Sequence, residues 1–269
     1  MRLLSCTLMA LLCSTSAFAT NFQTKHHFHV GLNTYYRDYS EAFIAPKKSD
    51  ERGLLMGALV DYEHKGANSF MFMAGLGIDG GKTRYDGALQ DHYGNFVAPY
   101  KDHTANVFMK LEASLGYTFL MAEKHMLTPF VGGGIKGWGR GLGDVELYSW
   151  RYVSGGLQYD YNASEQYQVG LHVKIMPMRE GYMGVEGFTY NDMKLGNRVH
   201  FEISTPIIYK RDLNSKNYWR FTPYYEHQRF GESNWVNTIN TFSTGQIVAE
   251  PASRTHIVGL KAEYAFGFW

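Results

Sequence analysis

Residues 105–119 sort at every second position into two faces. Ala105, Val107, Met109, Leu111, Ala113, Leu115, Tyr117 and Phe119 fall on one, and Asn106, Lys110, Glu112, Ser114 and Thr118 on the other. A helix of 3.6 residues per turn would scatter these positions around its axis, so the period of two specifies an extended strand. The same sorting places Phe28, Val30, Leu32, Thr34 and Tyr36 against His27, His29, Gly31, Asn33 and Arg37. It also places Tyr167, Val169, Leu171, Val173 and Ile175 against Gln168, Gly170, His172 and Lys174. Weaker forms of the pattern predict strands over about 53–63, 69–79, 126–137, 147–161, 198–209, 217–228 and 254–268. Ten strands result.

Nine of these ten segments also carry an aromatic at the same end of the apolar face: Phe28, Tyr62, Phe70, Tyr117 with Phe119, Tyr159 with Tyr161, Tyr167, Tyr209, Trp219 with Phe221, and Phe266 with Phe268. Aligned in this way they make a girdle at one water–lipid boundary. Short links near 64–68, 121–124, 162–164 and 211–216 alternate with longer ones near 38–52, 80–103, 138–146, 178–197 and 229–253. The expected fold is all-β: an up-and-down antiparallel transmembrane barrel of about ten strands, with both termini and the girdle on the periplasmic side. Two strands fit less cleanly. Leu55 and Leu59 break the polar face of the second, and Tyr148, Trp150 and Tyr152 of the sixth are out of phase with Val153, Leu157 and Tyr159, which a bulge near Tyr152 would reconcile.

No run of 18 apolar residues exists, and mean hydropathy is −0.31. Helical spans are thereby excluded, whereas a barrel hides its apolar face at alternate positions. At the start of the chain, Arg2, the apolar run Leu3–Leu12 and the small-residue ending Ala17-Phe18-Ala19 have the layout of a secretory signal peptide. Cleavage before Thr20 is expected, since about ten apolar residues are too few for an anchor helix. The domain reading is thus a leader over 1–19 and a barrel over 20–269. Cys6 and Cys13 both lie in the leader, so the mature chain offers no thiol chemistry. Without Arg2, 25 basic residues balance 25 acidic ones, which argues against nucleic acid as a partner.

The polar face supplies a candidate lumen network: Lys110, Glu112, His172, Lys174, His200, Glu202, Arg220, Glu226, Lys261 and Glu263, with Asp61, Lys136 and Arg37 expected to join. Buried charges require partners, and Lys174 with Glu202 or Arg220 with Glu263 are suitable pairs. Gly75, Gly77, Gly116, Gly132 and Gly134 leave one wall bare. The long groups Arg220, Tyr224, Glu226, Lys261 and Glu263 are placed to cross and cover it, or else the glycines only ease curvature. A ten-stranded barrel is filled or narrowly open.

Chemistry-bearing motifs are few. His26, His27 and His29 form an H-H-x-H cluster in which His27 and His29 share a face, so it is either a metal-binding pair or a polar turn. The omptin surface proteases have this strand number and length, but their Asp pair and Asp-His pair are not matched: the chain has no Asp-x-Asp and no Asp-x-His. Asp91-His92 and Asp102-His103 are adjacent pairs, which a strand turns to opposite faces. Nor is there a Glu-x-His-x-Ser stretch like that of the outer-membrane phospholipase. No catalytic, cofactor or metal residue is assigned, and a non-enzymatic role is expected.

Lys82-Thr83-Arg84-Tyr85-Asp86-Gly87, with Gly57, Tyr62, the 105–119 strand and Leu127-Thr128-Pro129-Phe130-Val131-Gly132, resembles a functionally unassigned branch of small proteobacterial outer-membrane barrels of the OmpA/Opa-like kind. The likeness spans most of residues 50–180. It implies fold and location and transfers no activity; Asp86-Gly87 itself is a turn signal. The ending Tyr264-Ala265-Phe266-Gly267-Phe268-Trp269 is similar to the last strand that such barrels present to their assembly machinery, although the apolar frame stops at Phe268. Tyr93, Tyr100, Tyr182, Tyr190 and Trp235 in the linkers suit protein or glycan contacts. The expectation is a monomeric outer-membrane barrel, in contact with outer-membrane lipid and lipopolysaccharide, with a largely plugged lumen. It would act through its surface loops in adhesion, surface interaction or envelope integrity. The alternatives are a narrow pore for small solutes and a hydrolase of omptin or lipase type.

Overall fold

The computed structural model describes residues 25–42, 49–90, 96–142, 144–185, 193–237 and 247–268. The leader and the loop aromatics Tyr93 and Tyr190 lie outside them. Seven long strands come first: β1 (Lys25–Glu41), β2 (Ser49–Lys65), β3 (Ser69–Gln90), β4 (Phe96–Ala122), β5 (His125–Leu142), β6 (Asp144–Asn162) and β7 (Tyr167–Val185). Then come the short β8 (Met193–Lys194), β9 (Val199–Ser204) and β10 (Ile207–Tyr209), the long β11 (Tyr218–Phe230), a small pair β12 (Val236–Asn237) and β13 (Ile247–Val248), and β14 (Ser253–Phe268).

Twelve of these strands form one sheet, and β12 pairs with β13 apart from it. All pairings are antiparallel. β1 pairs with β2 on one side and along its full length with β14 on the other, from His26↔Phe268 to Glu41↔Ser253. β14 pairs with β11, β11 with β9 and β10, and these with β7, which closes the ring. Because β8, β9 and β10 are successive pieces of one pass along β7, the twelve strands make ten passes. This is the up-and-down transmembrane barrel, and closure leaves no sheet edge around its circumference.

The eighth pass is broken for a local reason. Pro206 has no N–H to give to a ladder. Across that break, Gly170 donates its N–H to the Pro206 carbonyl (2.7 Å) and Thr205 to Pro223 (3.0 Å), so β7 and β11 remain bridged.

One end of the barrel carries the termini and tight links such as 66–68, where Asn68 takes a left-handed φ of 49° that asparagine tolerates. The opposite end carries the longer connections. There the strands outrun the sequence expectation. The segment 80–103, expected as a loop, continues the β3–β4 ladder from Gly80↔Val107 to Gln90↔Phe96. Asp86-Gly87 is therefore not a turn: it pairs with Lys101 and Tyr100. Gly87 leaves room there for the Tyr85 ring on the inner face, since a Cβ would clash with the Tyr85 hydroxyl and the ring would have to shift.

The outer surface is apolar. Leu32 (64% exposed), Leu54 (59%) and Val131 (68%) stand with many similar residues in a continuous band, which water would penalise and acyl chains solvate. Within it, Phe28, Tyr62 and Phe268 cluster with ring centroids 5.6–6.4 Å apart, Phe70 meets Tyr117 at 5.5 Å, Tyr117 meets Phe119 at 4.8 Å, and Tyr167 meets Tyr209 at 5.1 Å. Trp219 stacks on Phe221 at 6.3 Å and meets Tyr264 edge-on at 4.9 Å, Tyr264 meets Phe266 edge-on at 4.9 Å, and Tyr159 and Tyr161 flank His125. All of these lie toward the end with the termini.

Candidate functional site

The bore of the barrel is the candidate site, and side chains occupy it in three layers. Nearest the termini, the Arg220 guanidinium on β11 grips Glu263 of β14 through two hydrogen bonds (2.8 and 2.6 Å). It also reaches across to Glu63 (2.9 Å) and Asp61 (3.5 Å) on β2. On the facing side, the Lys65 ammonium donates to Asp160 and Gln158 (both 2.6 Å), and His172 meets Asp160 at 3.2 Å. This floor contains the histidine cluster. His26 faces outward onto Tyr62 (2.6 Å), while His27 and His29 are buried, with their rings 6.0 Å apart. They lie in β1, so the polar-turn alternative is corrected. His29 shares a hydrogen bond with Tyr218 (3.0 Å), and its ligand atoms lie within 4.8 Å of Asp61 and Glu263. Arg220 already holds those two carboxylates, so a cation there would have to displace a guanidinium.

In the middle layer, Lys110 and Lys174 both grip Glu112 (3.0 and 3.2 Å), Lys174 extends to Glu202 (3.4 Å), and the Tyr152 hydroxyl donates to Glu112 (2.8 Å). Lys136 of β5 crosses the bore to Glu226 of β11, which also accepts from Gln228 (2.9 Å). Lys261 lies over the Tyr224 ring at 4.9 Å, and Tyr224 donates to Asn33 (3.0 Å). The sequence thus brings together Lys110, Glu112, Lys174 and Glu202 in one cluster and Arg220 with Glu263 in another. His172 belongs to a third group with Asp160, and His200 is buried beside Phe230, donating its Nε2–H to the Arg229 carbonyl (2.8 Å).

The glycine wall is covered differently from the expectation. Asp61 of the adjacent β2 lies over Gly75, Tyr152 of β6 over Gly134 (2.6 Å from an added Cβ), and Met71 and Phe130 over Gly116. Crossing groups from β11 meet polar partners instead of bare backbone, because an ion leaving water gains more from an opposite charge than from a glycine face.

Of the third layer, at the end with long connections, the sequence indicated only Arg37. Glu51, with no exposed surface, accepts from Arg37 (3.1 Å), Arg140 (2.9 Å), Thr83 (2.6 Å) and Asn106 (2.9 Å). Arg140 also bonds Glu41 (3.1 Å) and Glu146 (2.9 Å). Arg37 lies 4.2 Å above the Trp138 ring, which stacks between Phe108 (5.5 Å) and Tyr148 (4.4 Å). Tyr148 donates to Glu250 (2.7 Å), in the segment that returns to β14. Burial, with Glu41 and Glu146 alongside, raises the Glu250 carboxyl well above the ordinary range. Beside this lies an apolar cluster of Trp150, Met176, Met178, Met183, Leu195 and Phe230.

The sixth strand runs in a single phase, which corrects the expected bulge there. Tyr148, Trp150 and Tyr152 point inward with Ser154, Gln158 and Asp160, and Val153 and Leu157 point outward. The register slips instead in β7, where Arg151↔Glu180 is followed by Tyr152↔Met178 and Arg179 is the extra residue. Leu55 and Leu59 likewise point inward, packing with Tyr35 and Tyr224 or lining a cavity.

Cavities remain between the layers. One of about 140 Å³ is lined by the floor and middle groups, and one of about 70 Å³ lies above it against Tyr35, Trp150 and Tyr224. Lys110, Glu202 and Lys261 line both and stand between them. At about 10–15 Å³ per water they would hold roughly ten and five waters.

No protein-family model and no curated protein matches the chain. Among solved structures it is similar to the outer-membrane protease OmpT from Escherichia coli, at 10% identity and a TM-score of 0.59, over 91% of this chain and 97% of that one. OprG from Pseudomonas aeruginosa (10% identity, 92% and 97% coverage, TM-score 0.42) and the Neisserial surface protein NspA (10%, 88% and 95%, TM-score 0.31) superpose too loosely for residue comparison. The resemblance to a protease of this shape extends to the path of the backbone and not to its residues: the chain has the fold of the bacterial outer-membrane β-barrels.

Proposed function

We propose that the chain is a monomeric outer-membrane barrel, with its termini in the periplasm, closed by its own side chains and acting through the end that carries the long connections. Its role is then surface interaction, adhesion or envelope integrity, with outer-membrane lipid and lipopolysaccharide around it and protein or glycan ligands above. The aromatic end of β14 serves the barrel assembly machinery.

The observation that carries this reading is the layered closure of the bore. Buried ion pairs lie in a floor, a middle and a rim, with Trp138, Tyr148 and Trp150 beside them, and in each layer one pair joins strands that are not neighbours: Arg220 with Glu63, Lys136 with Glu226 and Arg140 with Glu51. Exposed Trp235 and Tyr182 on the rim side offer contact groups. A non-catalytic role is supported by Asp102 and His103, which stand at successive, oppositely directed positions of β4, with Asp102 engaged by Tyr100 (2.5 Å). Asp91-His92 falls outside the described residues.

The second reading, a narrow pore, is favoured by the two polar-lined cavities. Single-channel recording in planar bilayers separates the two. The purified barrel is expected to give no steady current, and reproducible ohmic steps would replace the plugged reading with the pore.

A further inference from the structure

On the outer face of β11 and β14 the apolar band ends in an ordered sequence. Tyr225 stands opposite Val258, His227 opposite His256, and Arg229 opposite Arg254. The Tyr225 hydroxyl shares a hydrogen bond with His256 (2.7 Å), the His227 and His256 rings lie 4.7 Å apart, and Phe201 of β9 lies 5.4 Å from His227. Arg198, at the head of β9, rests on Gly231 beyond Arg229, 2.9 Å from where a Cβ would stand.

Like charges directly opposite on neighbouring strands are destabilising. Several other cations on the outside of the barrel at this level have a carboxylate: Arg52 with Asp38 (3.1 Å), Lys101 with Asp86 (3.3 Å) and Arg151 with Glu180 (3.6 Å). Arg52, although it stands opposite Arg84, is thereby neutralised. Arg229 and Arg254 are both exposed, and among the described residues neither has an acidic partner. Asp38, which β1 places opposite His256, is taken by Arg52. Two arginines whose Cβ atoms stand at cross-strand spacing, roughly 4.5–5.5 Å, thus place like charges over an apolar wall with no carboxylate partner among the described residues.

We propose that Arg229, Arg254 and Arg198, above His227 and His256, bind the phosphate of an outer-leaflet lipid, with its acyl chains on Tyr225, Val258 and the band below. A glycolipid carrying several phosphomonoesters suits the site best, because forked guanidinium groups grip phosphate bidentately and polyvalent charge is shared among three of them. The assignment rests on the reading that the end with long connections faces the outer leaflet.

The test uses the full barrel in an uncharged, sugar-headed detergent. Lipopolysaccharide is titrated against the wild type and the R229Q/R254Q variant, with binding and melting temperature as readouts. The wild type is expected to bind and to melt higher, and the variant to bind at least about tenfold more weakly. R151Q, at a paired arginine elsewhere, is expected to behave as wild type. Removing a like-charge pair does not threaten folding, and the variant's melting without lipid checks this directly.

Equal binding by the double variant, or equal binding of dephosphorylated lipopolysaccharide, overturns the site. Inorganic phosphate binding as tightly as the lipid overturns the lipid assignment. Phosphatidylglycerol vesicles binding as well as lipopolysaccharide overturns the glycolipid assignment. Orientation is read separately by labelling a cysteine introduced as Glu232→Cys on whole cells, so its failure is distinguishable from that of the site.

Discussion

Glu51 shows how much a single inward carboxylate can organise. It neutralises Arg37 and Arg140 in a place that water does not reach and takes hydrogen bonds from Thr83 and Asn106 as well. Glu51→Ala leaves two buried guanidinia short of a counter-charge, and a loss of about 3–5 kcal/mol is expected, measured by urea unfolding of the refolded barrel. Glu250 makes a pH-dependent contact nearby. Its raised pKa means that the neutral acid is favoured in the fold. Its contribution is therefore complete below the unfolded value of about 4.3 and fades as pH rises through the folded one. The wild type is expected to lose melting temperature with rising pH more steeply than Glu250→Gln, which stays neutral; parallel profiles would show that Glu250 does not titrate there. Neither residue was legible in advance. Alternation reached Glu51 from Leu55 through Gly53, but Ser49–Arg52 read as a linker, and Glu250 lies in no strand, where no period indicates direction.

Single strands were legible where one face was uniformly apolar and the other polar, as in β4. They were misread where the inner face was apolar too. Tyr148, Trp150 and Tyr152 resembled a phase error because a lumen is expected to be wet, yet here they pack with methionines that also face inward. The actual slip, at Arg179, leaves almost no trace in the sequence: Met176 and Met178 precede it, Gly181 and Met183 follow, and both pairs are buried. Because Arg179 is the extra residue, deleting it restores strict alternation through β7 and leaves Met178, Gly181 and Met183 inward and the exposed Tyr182 outward. The deletion variant is expected to keep the heat-modifiable folded band on electrophoresis up to about the wild-type temperature, and loss of the band at a clearly lower temperature would mean that the bulge itself is needed for the packing of β7. The Tyr-Asp-Gly stretch was misread for a related reason. Gly87 answers to the ring of Tyr85 two positions back, a packing demand that a turn-signal reading does not contain.

For the molecule as a whole, ring closure and the number of passes followed from periodicity, whereas the way the bore is filled did not, since pairing across a cylinder depends on register and shear. Lys174 with Glu202 and Arg220 with Glu263 were legible because they sit on adjacent passes; Lys136 with Glu226 and Lys65 with Asp160 span the bore and have no sequence signal. If the proposed closure is right and floor, middle and rim each block the bore, removing the crossing pair by K136A/E226A is expected to leave the barrel silent in planar bilayers. Steady steps from that variant alone would assign the whole barrier to the middle layer.

β4 runs on from Thr104 to Phe96 with β3 on one flank and, among the described residues, no strand on the other, since β5 begins to pair only at Ala105↔Gly141. Some nine residues of main chain, roughly 30 Å along the strand, thus present a raw selvedge above the barrel wall. Pro99 and Lys101 fall within it, an imino acid that cannot donate and a charge that repels its own copy. This mast thus carries two of the devices that discourage an exposed edge from growing sideways into fibrils.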